Sequence, residues 1–123
     1  MIEHVSVPIS DYKKSKQFYL EALKPLDYVL GSDYSSDAAG FFEGGHTSFW
    51  IVRKTKPVQP IHVALRAASK EAVHQFHSAA LKAGAQRAVV ECRWLTARQS
   101  DEFCQAFYIK RASRYPQLLN MRW

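Results

Sequence analysis

Glycine gives out early in this sequence. Five glycines are present, the last is Gly84, and none lies between Gln86 and Trp123. Tight reversals draw heavily on glycine, so the final third lacks the usual means of turning sharply. Cysteine is equally sparse. Cys92 and Cys104 make neither a disulfide framework nor a paired metal-ligand motif. Reduced thiols in a cytosolic protein are the simplest account, with one isolated disulfide as the alternative. No apolar run approaches the roughly 20 residues that span a bilayer. Glu3 and His4 interrupt any basic-then-apolar leader. A soluble, cytoplasmic protein without membrane attachment is therefore expected. Acidic residues are also short, 11 against 17 basic, for a net charge of +6. The imbalance sits between Arg87 and Arg122, since residues 1–60 carry equal numbers of each sign. A solvated positive face accounts for it more simply than a nucleic-acid surface, and nucleic acid is not an expected partner.

What is present is ordinary globular material: 47% hydrophobic and 13% aromatic over 123 residues, the size of one domain. Ile2 to Ile9 reads as a strand, with His4, Ser6 and Pro8 on one face and Val5, Val7 and Ile9 on the other. Ser10 or Asp11 caps a helix running to about Leu23, whose buried side is Tyr12, Ser15, Tyr19, Ala22 and Leu23. Pro25 ends it. Short strands follow at Tyr28–Gly31 and at Phe41-Phe42, the second closed by Gly44-Gly45, and Thr47–Val52 is dense in β-formers. Arg53 to Pro60 is a basic connector.

The order then restarts. Ile61–Arg66 is a strand with His62, Ala64 and Arg66 on one face, and Ser69 caps a helix striped by Val73, Phe76, Ala80 and Ala83 and stopped by Gly84. Further strands are expected from Val89 to Trp94 and at Ala106–Ile109. Thr96 to Glu102 has no clear assignment. At an offset of 58 residues, His4-Val5 falls on His62-Val63, Gln17-Phe18 on Gln75-Phe76, Ala22-Leu23-Lys24 on Ala80-Leu81-Lys82, and Phe49-Trp50-Ile51 on Phe107-Tyr108-Ile109. Two copies of a strand–helix–three-strand unit are the natural reading. The fold class is α+β, one domain of 1–123, with units 1–59 and 60–123 and a second unit that diverges from about residue 86.

Tandem units that each open on a strand histidine resemble the vicinal oxygen chelate superfamily, which includes glyoxalase I, bleomycin-resistance proteins and extradiol dioxygenases. The resemblance is carried by Ile2-Glu3-His4-Val5-Ser6-Val7-Pro8, Ser15-Lys16-Gln17-Phe18-Tyr19, Gly40-Phe41-Phe42-Glu43-Gly44-Gly45, Phe49-Trp50-Ile51, Ile61-His62-Val63-Ala64 and the helix from Glu71 to Gly84. It covers about residues 1–85. Beyond that, the turn and closing strand of similar glyoxalase-like proteins are missing. Divergence and a displaced reading frame or misjoined exon both account for this, and the second unit is expected to be incomplete or distorted.

The resemblance implies tandem βαβββ modules whose sheets form a cup around one divalent metal, Zn, Fe, Ni or Mn. It makes His4 and His62 the two first-strand ligands. Histidine nitrogens suit such metals, and open positions let a substrate bind through adjacent oxygens. The implied activity is that of a lyase, isomerase or dioxygenase on a small oxygenated metabolite. An incomplete second unit would expose an apolar sheet face, from which self-association, as a homodimer, is expected. The alternative is a metal-free protein that sequesters a small molecule, as in bleomycin resistance. The implied third ligand is a carboxylate on a later strand, and it is missing. Those positions hold Trp50 and Tyr108, and the other register, Tyr115–Asn120, carries no acid. Glu43, Glu91, Asp101 and Glu102 have no matching place. His74 and His77, three apart on a helix, are half a metal site at most, and His46 reads as a loop residue. Cys92 and Cys104 have no adjacent group that would lower a thiol pKa. Phe49, Trp50 and Tyr108 are placed to line or back the cup. No catalytic residue is assigned.

Overall fold

A computed structural model describes residues 2–56, 62–85 and 104–109. The expected strand from Val89 to Trp94, the segment Thr96–Glu102 and the alternative last strand Tyr115–Asn120 lie outside the described residues. So does the second half of the connector, residues 57–60.

The first unit runs β1 (Val5–Ile9), α1 (Tyr12–Leu23), β2 (Val29–Asp33), β3 (Ala38–Glu43) and β4 (His46–Arg53). Alternation in β1 holds as expected, with Val7 and Ile9 buried and Ser6 exposed. Asp11 is the N-cap of α1, its side chain accepting from the Lys14 amide at 3.1 Å. Pro25 falls in a single 3-10 turn, Lys24–Leu26, and Asp27 then takes a left-handed φ of 62°. The arc buried by α1 is wider than expected and includes Phe18. One side of α1 meets the sheet and another meets the second helix, so a single narrow stripe is too little.

Two tight hairpins then fold the remaining strands into a meander. In one, Gly44 and Gly45 have φ of 59° and 100°, and in the other Ser35 and Ser36 have 40° and 98°. Two successive positive φ values describe a type I′ turn, whose twist suits adjacent antiparallel strands. Strand order in the sheet is β1-β4-β3-β2, with β1 parallel to β4 and the others antiparallel. The β1–β4 ladder runs from Val5↔Phe49 to Ile9↔Arg53. It stops at Val5 because β4 is irregular next to Phe49: Phe41 pairs with Phe49 but Phe42 pairs with Thr47, which leaves Ser48 over as a bulge. His4, expected inside the strand, therefore lies just ahead of it.

The second unit gives β5 (His62–Ala67), α2 (Lys70–Lys82) and β6 (Cys104–Ile109). Ser69 caps α2 by accepting from the Ala72 amide at 3.1 Å. At the other end Gly84, φ 100°, completes a Schellman closure: the Ala85 amide donates to Ala80 O at 2.9 Å and the Gly84 amide to Leu81 O at 3.1 Å. Val73, Phe76 and Ala80 are buried, as their spacing predicts. They join Val7, Ile9, Tyr19, Phe41, Phe49 and Ile51 in one core.

The architecture is α+β, with a mixed four-stranded sheet and a separate two-stranded one. The repeat is not kept in the pairing of β6. At the 58-residue offset β6 stands for β4, yet β5 and β6 run antiparallel, with Val63 opposite Tyr108. In the first unit the β2–β3–β4 meander fixes the direction of β4 before it meets β1. Among the described residues β6 pairs with β5 alone.

Candidate open face of the four-stranded sheet

The four-stranded sheet has two unlike faces. One carries Val7, Ile9, Phe41, Phe49 and Ile51, all buried on the α1 side. Pleating sends Ser6, Pro8, Gly40, Trp50 and Val52 to the other. The bulge at Ser48 returns Thr47 to this second face, where its methyl lies above Gly40. Phe42, Thr47's partner, is 39% exposed there.

Trp50 dominates this open face. Gly40 sits opposite it in the ladder, and the six-membered ring of the indole reaches over the glycine. A Cβ built on Gly40 would stand 2.9 Å from both Cζ2 and Cη2 of Trp50 and 2.6 Å from Cγ2 of Thr47. At the mouth of the β2–β3 turn, Tyr34 stacks on Trp50 with ring centroids 6.0 Å apart and planes 22° from parallel. Trp50 itself is half-buried. Phe49, the neighbouring aromatic, faces the other way and backs the sheet.

Beside the helix, a polar cluster ties α1 to the end of β2. The Asp33 carboxylate accepts from the Tyr12 hydroxyl through one oxygen and from the Lys16 ammonium through the other. The Ser35 amide donates to it at 3.1 Å. Partial burial, and then the hydrogen bond to Asp33 and its negative charge, push the Tyr12 phenol up to about 12. Lys16 first, then Tyr12, hold Asp33 below the usual carboxylate value. Sequence reasoning missed this cluster because it joins α1 to the end of β2, and a contact between two elements leaves no periodic signal in either.

The expected ligand histidines occupy the entry points of the two units. His4 is exposed, one residue ahead of β1, and His62 is the first residue of β5, opposite Ile109. His46 opens β4 opposite Glu43, so it belongs to a strand rather than a loop. His74 is exposed and His77 half-buried on α2. Cys104 begins β6 opposite Ala67, and Tyr108 lies in the same strand. Cys92, Glu91, Asp101 and Glu102 lie outside the described residues. Among the described residues no group of three His, Cys, Asp or Glu side chains could hold a metal. A catalytic metal centre of the expected kind takes three protein ligands. His4 and His62 are two, and the described residues offer no third. No described helix is long and apolar enough to cross a membrane.

No protein-family model matches the chain, and no curated protein sequence matches it.

Proposed function

We propose that this protein is a glyoxalase-like module of the vicinal oxygen chelate type that binds a small organic molecule on the open face of its four-stranded sheet, without a metal. The open face carries the reading: an aromatic surface built on Trp50, Tyr34 and Phe42, on the side away from α1. The β1-α1-β2-β3-β4 order of the first unit, with β1 beside β4, supports membership of that superfamily. Ligand sites are mostly apolar and aromatic, with a few polar groups for orientation. Ser6 and Thr47 supply hydroxyls on this face.

The enzymatic reading asks more of Trp50 than an indole can give. Similar enzymes use a strand carboxylate there, both to ligate metal and to accept a proton from substrate. An indole has one N–H donor and no acceptor, so it does neither. Binding by contact is the work this side chain can perform.

Metal analysis of the purified protein, alongside His4→Ala and His62→Ala, tests the proposal together with a small-molecule screen read by amide resonances. The expected result is no stoichiometric metal in any of the three, and ligands that shift Ser6, Trp50 and Val52. Stoichiometric metal in the parent that is lost in both variants would overturn it in favour of a lyase, isomerase or dioxygenase. Ligand shifts confined to other parts of the chain would overturn it too.

A further inference from the structure

We infer that the open face binds by stacking: the Trp50–Tyr34 pair takes a flat, fused-ring aromatic molecule, and Gly40 is the residue that positions the indole for it. This rests on the binding reading above and adds the class of ligand. Three observations meet at one place. First, a Cβ at Gly40 would come within 2.9 Å of the indole and 2.6 Å of Thr47, closer than real Cβ atoms approach. Glycine is what lets the ring lie at this depth. Any larger residue lifts it off the sheet.

Second, the Tyr34 ring lies within 22° of the indole plane and is offset from it, with 62% of the residue exposed. A tyrosine held for core packing is not left so open. Third, the turn that presents Tyr34 is pinned at both ends. The Tyr34 amide donates to Ala38 O at 2.8 Å, and Tyr34 O accepts from the Asp37 amide at 3.1 Å. The turn also holds Ser35 and Ser36 in left-handed conformations that side chains rarely adopt. Two fixed, nearly parallel, partly open rings favour a third flat ring in offset stacking. An adaptable apolar patch would take saturated molecules equally well.

The test titrates the isotope-labelled full chain with naphthol and with decalol, its saturated, puckered counterpart. The readout is the Trp50 indole N–H resonance, identified as the one missing from Trp50→Phe. Naphthol is expected to shift that resonance saturably while decalol leaves it in place. Trp50→Leu weakens naphthol binding by about tenfold. Gly40→Ala weakens binding as well. Combining it with Trp50→Leu removes the clash with the indole but not the one with Thr47, so the double variant regains part of the stability lost in Gly40→Ala and none of the binding. If naphthol shifts Ser6 and Val52 and leaves Trp50 unmoved, or if decalol binds equally, stacking is wrong and binding on the open face stands. If neither probe shifts any open-face resonance, both are wrong.

Discussion

Ser36 adopts a conformation that suits glycine, and the consequence is measurable. Its φ of 98° places a Cβ where L residues are strained by roughly 1 kcal/mol or more. Ser36→Gly is therefore expected to raise stability by about 1 kcal/mol, read from the urea midpoint. A lower midpoint would mean that the serine hydroxyl contributes more than the strain costs. Nearby, Tyr12 and Asp33 make a prediction about pH. In the fold the Tyr12 phenol stays neutral up to about 12, against 10.0 unperturbed. The stability tied to it is complete below pH 10.0 and is lost as pH rises toward 12. Asp33 runs the other way: its contribution is present above its ordinary 3.8 and disappears as pH falls through the lowered folded value. Among the described residues, Tyr12 and Tyr28 should ionise late in phenolate absorbance, the second raised chiefly by burial. Asp33→Asn should bring Tyr12 part of the way back, because its burial remains. An unchanged titration curve would rule out the Asp33 contribution.

Each helix carries its boundaries in local chemistry, which is why both were legible in the sequence. Asp11 and Ser69 hold oxygens one position ahead of their helices, and Gly84 supplies the left-handed stop. Asp11→Ala and Ser69→Ala should each cost about 1 kcal/mol in chemical denaturation. A loss near zero in both would show that water caps these helices equally well. β1 and β5 were legible as alternations, β4 by its density of β-formers and Gly44-Gly45 as the close of a strand, whereas β2 and β3 extend beyond the Tyr28–Gly31 and Phe41-Phe42 that composition marks. The Ser48 bulge was not, because a bulge is a mismatch between two strands and leaves no periodic mark on one of them. It shortened β1 and put His4 outside the ladder. Direction of pairing was equally hidden: β6 reads as a strand from composition, but whether it runs with or against β5 depends on partners rather than on its own residues.

At the scale of the molecule, the two units share one core, so damage in one should be felt in the other. Phe76 on α2 is fully buried in the same cluster as Val7 and Phe49. Phe76→Ala should cost about 4 kcal/mol and reduce hydrogen-exchange protection in β1 and β4 as well as in α2. Loss confined to α2 would mean that the units melt separately. The candidate site was half legible from the sequence. Trp50 stood out as an aromatic on a cup-lining strand, but its partner Tyr34 sits in a turn, and the glycine beneath it is visible only as a distance.

The parallel contact of β1 with β4 also dictates an order of events in time. The β2–β3–β4 meander closes through two short turns, whereas β1 must wait for a partner some 44 residues away. Short loops close early and the long one late. Substitutions that weaken the Gly44-Gly45 hairpin should therefore slow folding, whereas Val7→Ala should mainly hasten unfolding. Rapid-mixing kinetics with the opposite pattern would reverse that sequence. If it holds, nascent chains pass through a stage in which Val7 and Ile9 are still free and the apolar side of the meander is uncovered. That interval, rather than the finished fold, is when a chaperone would have something to grip.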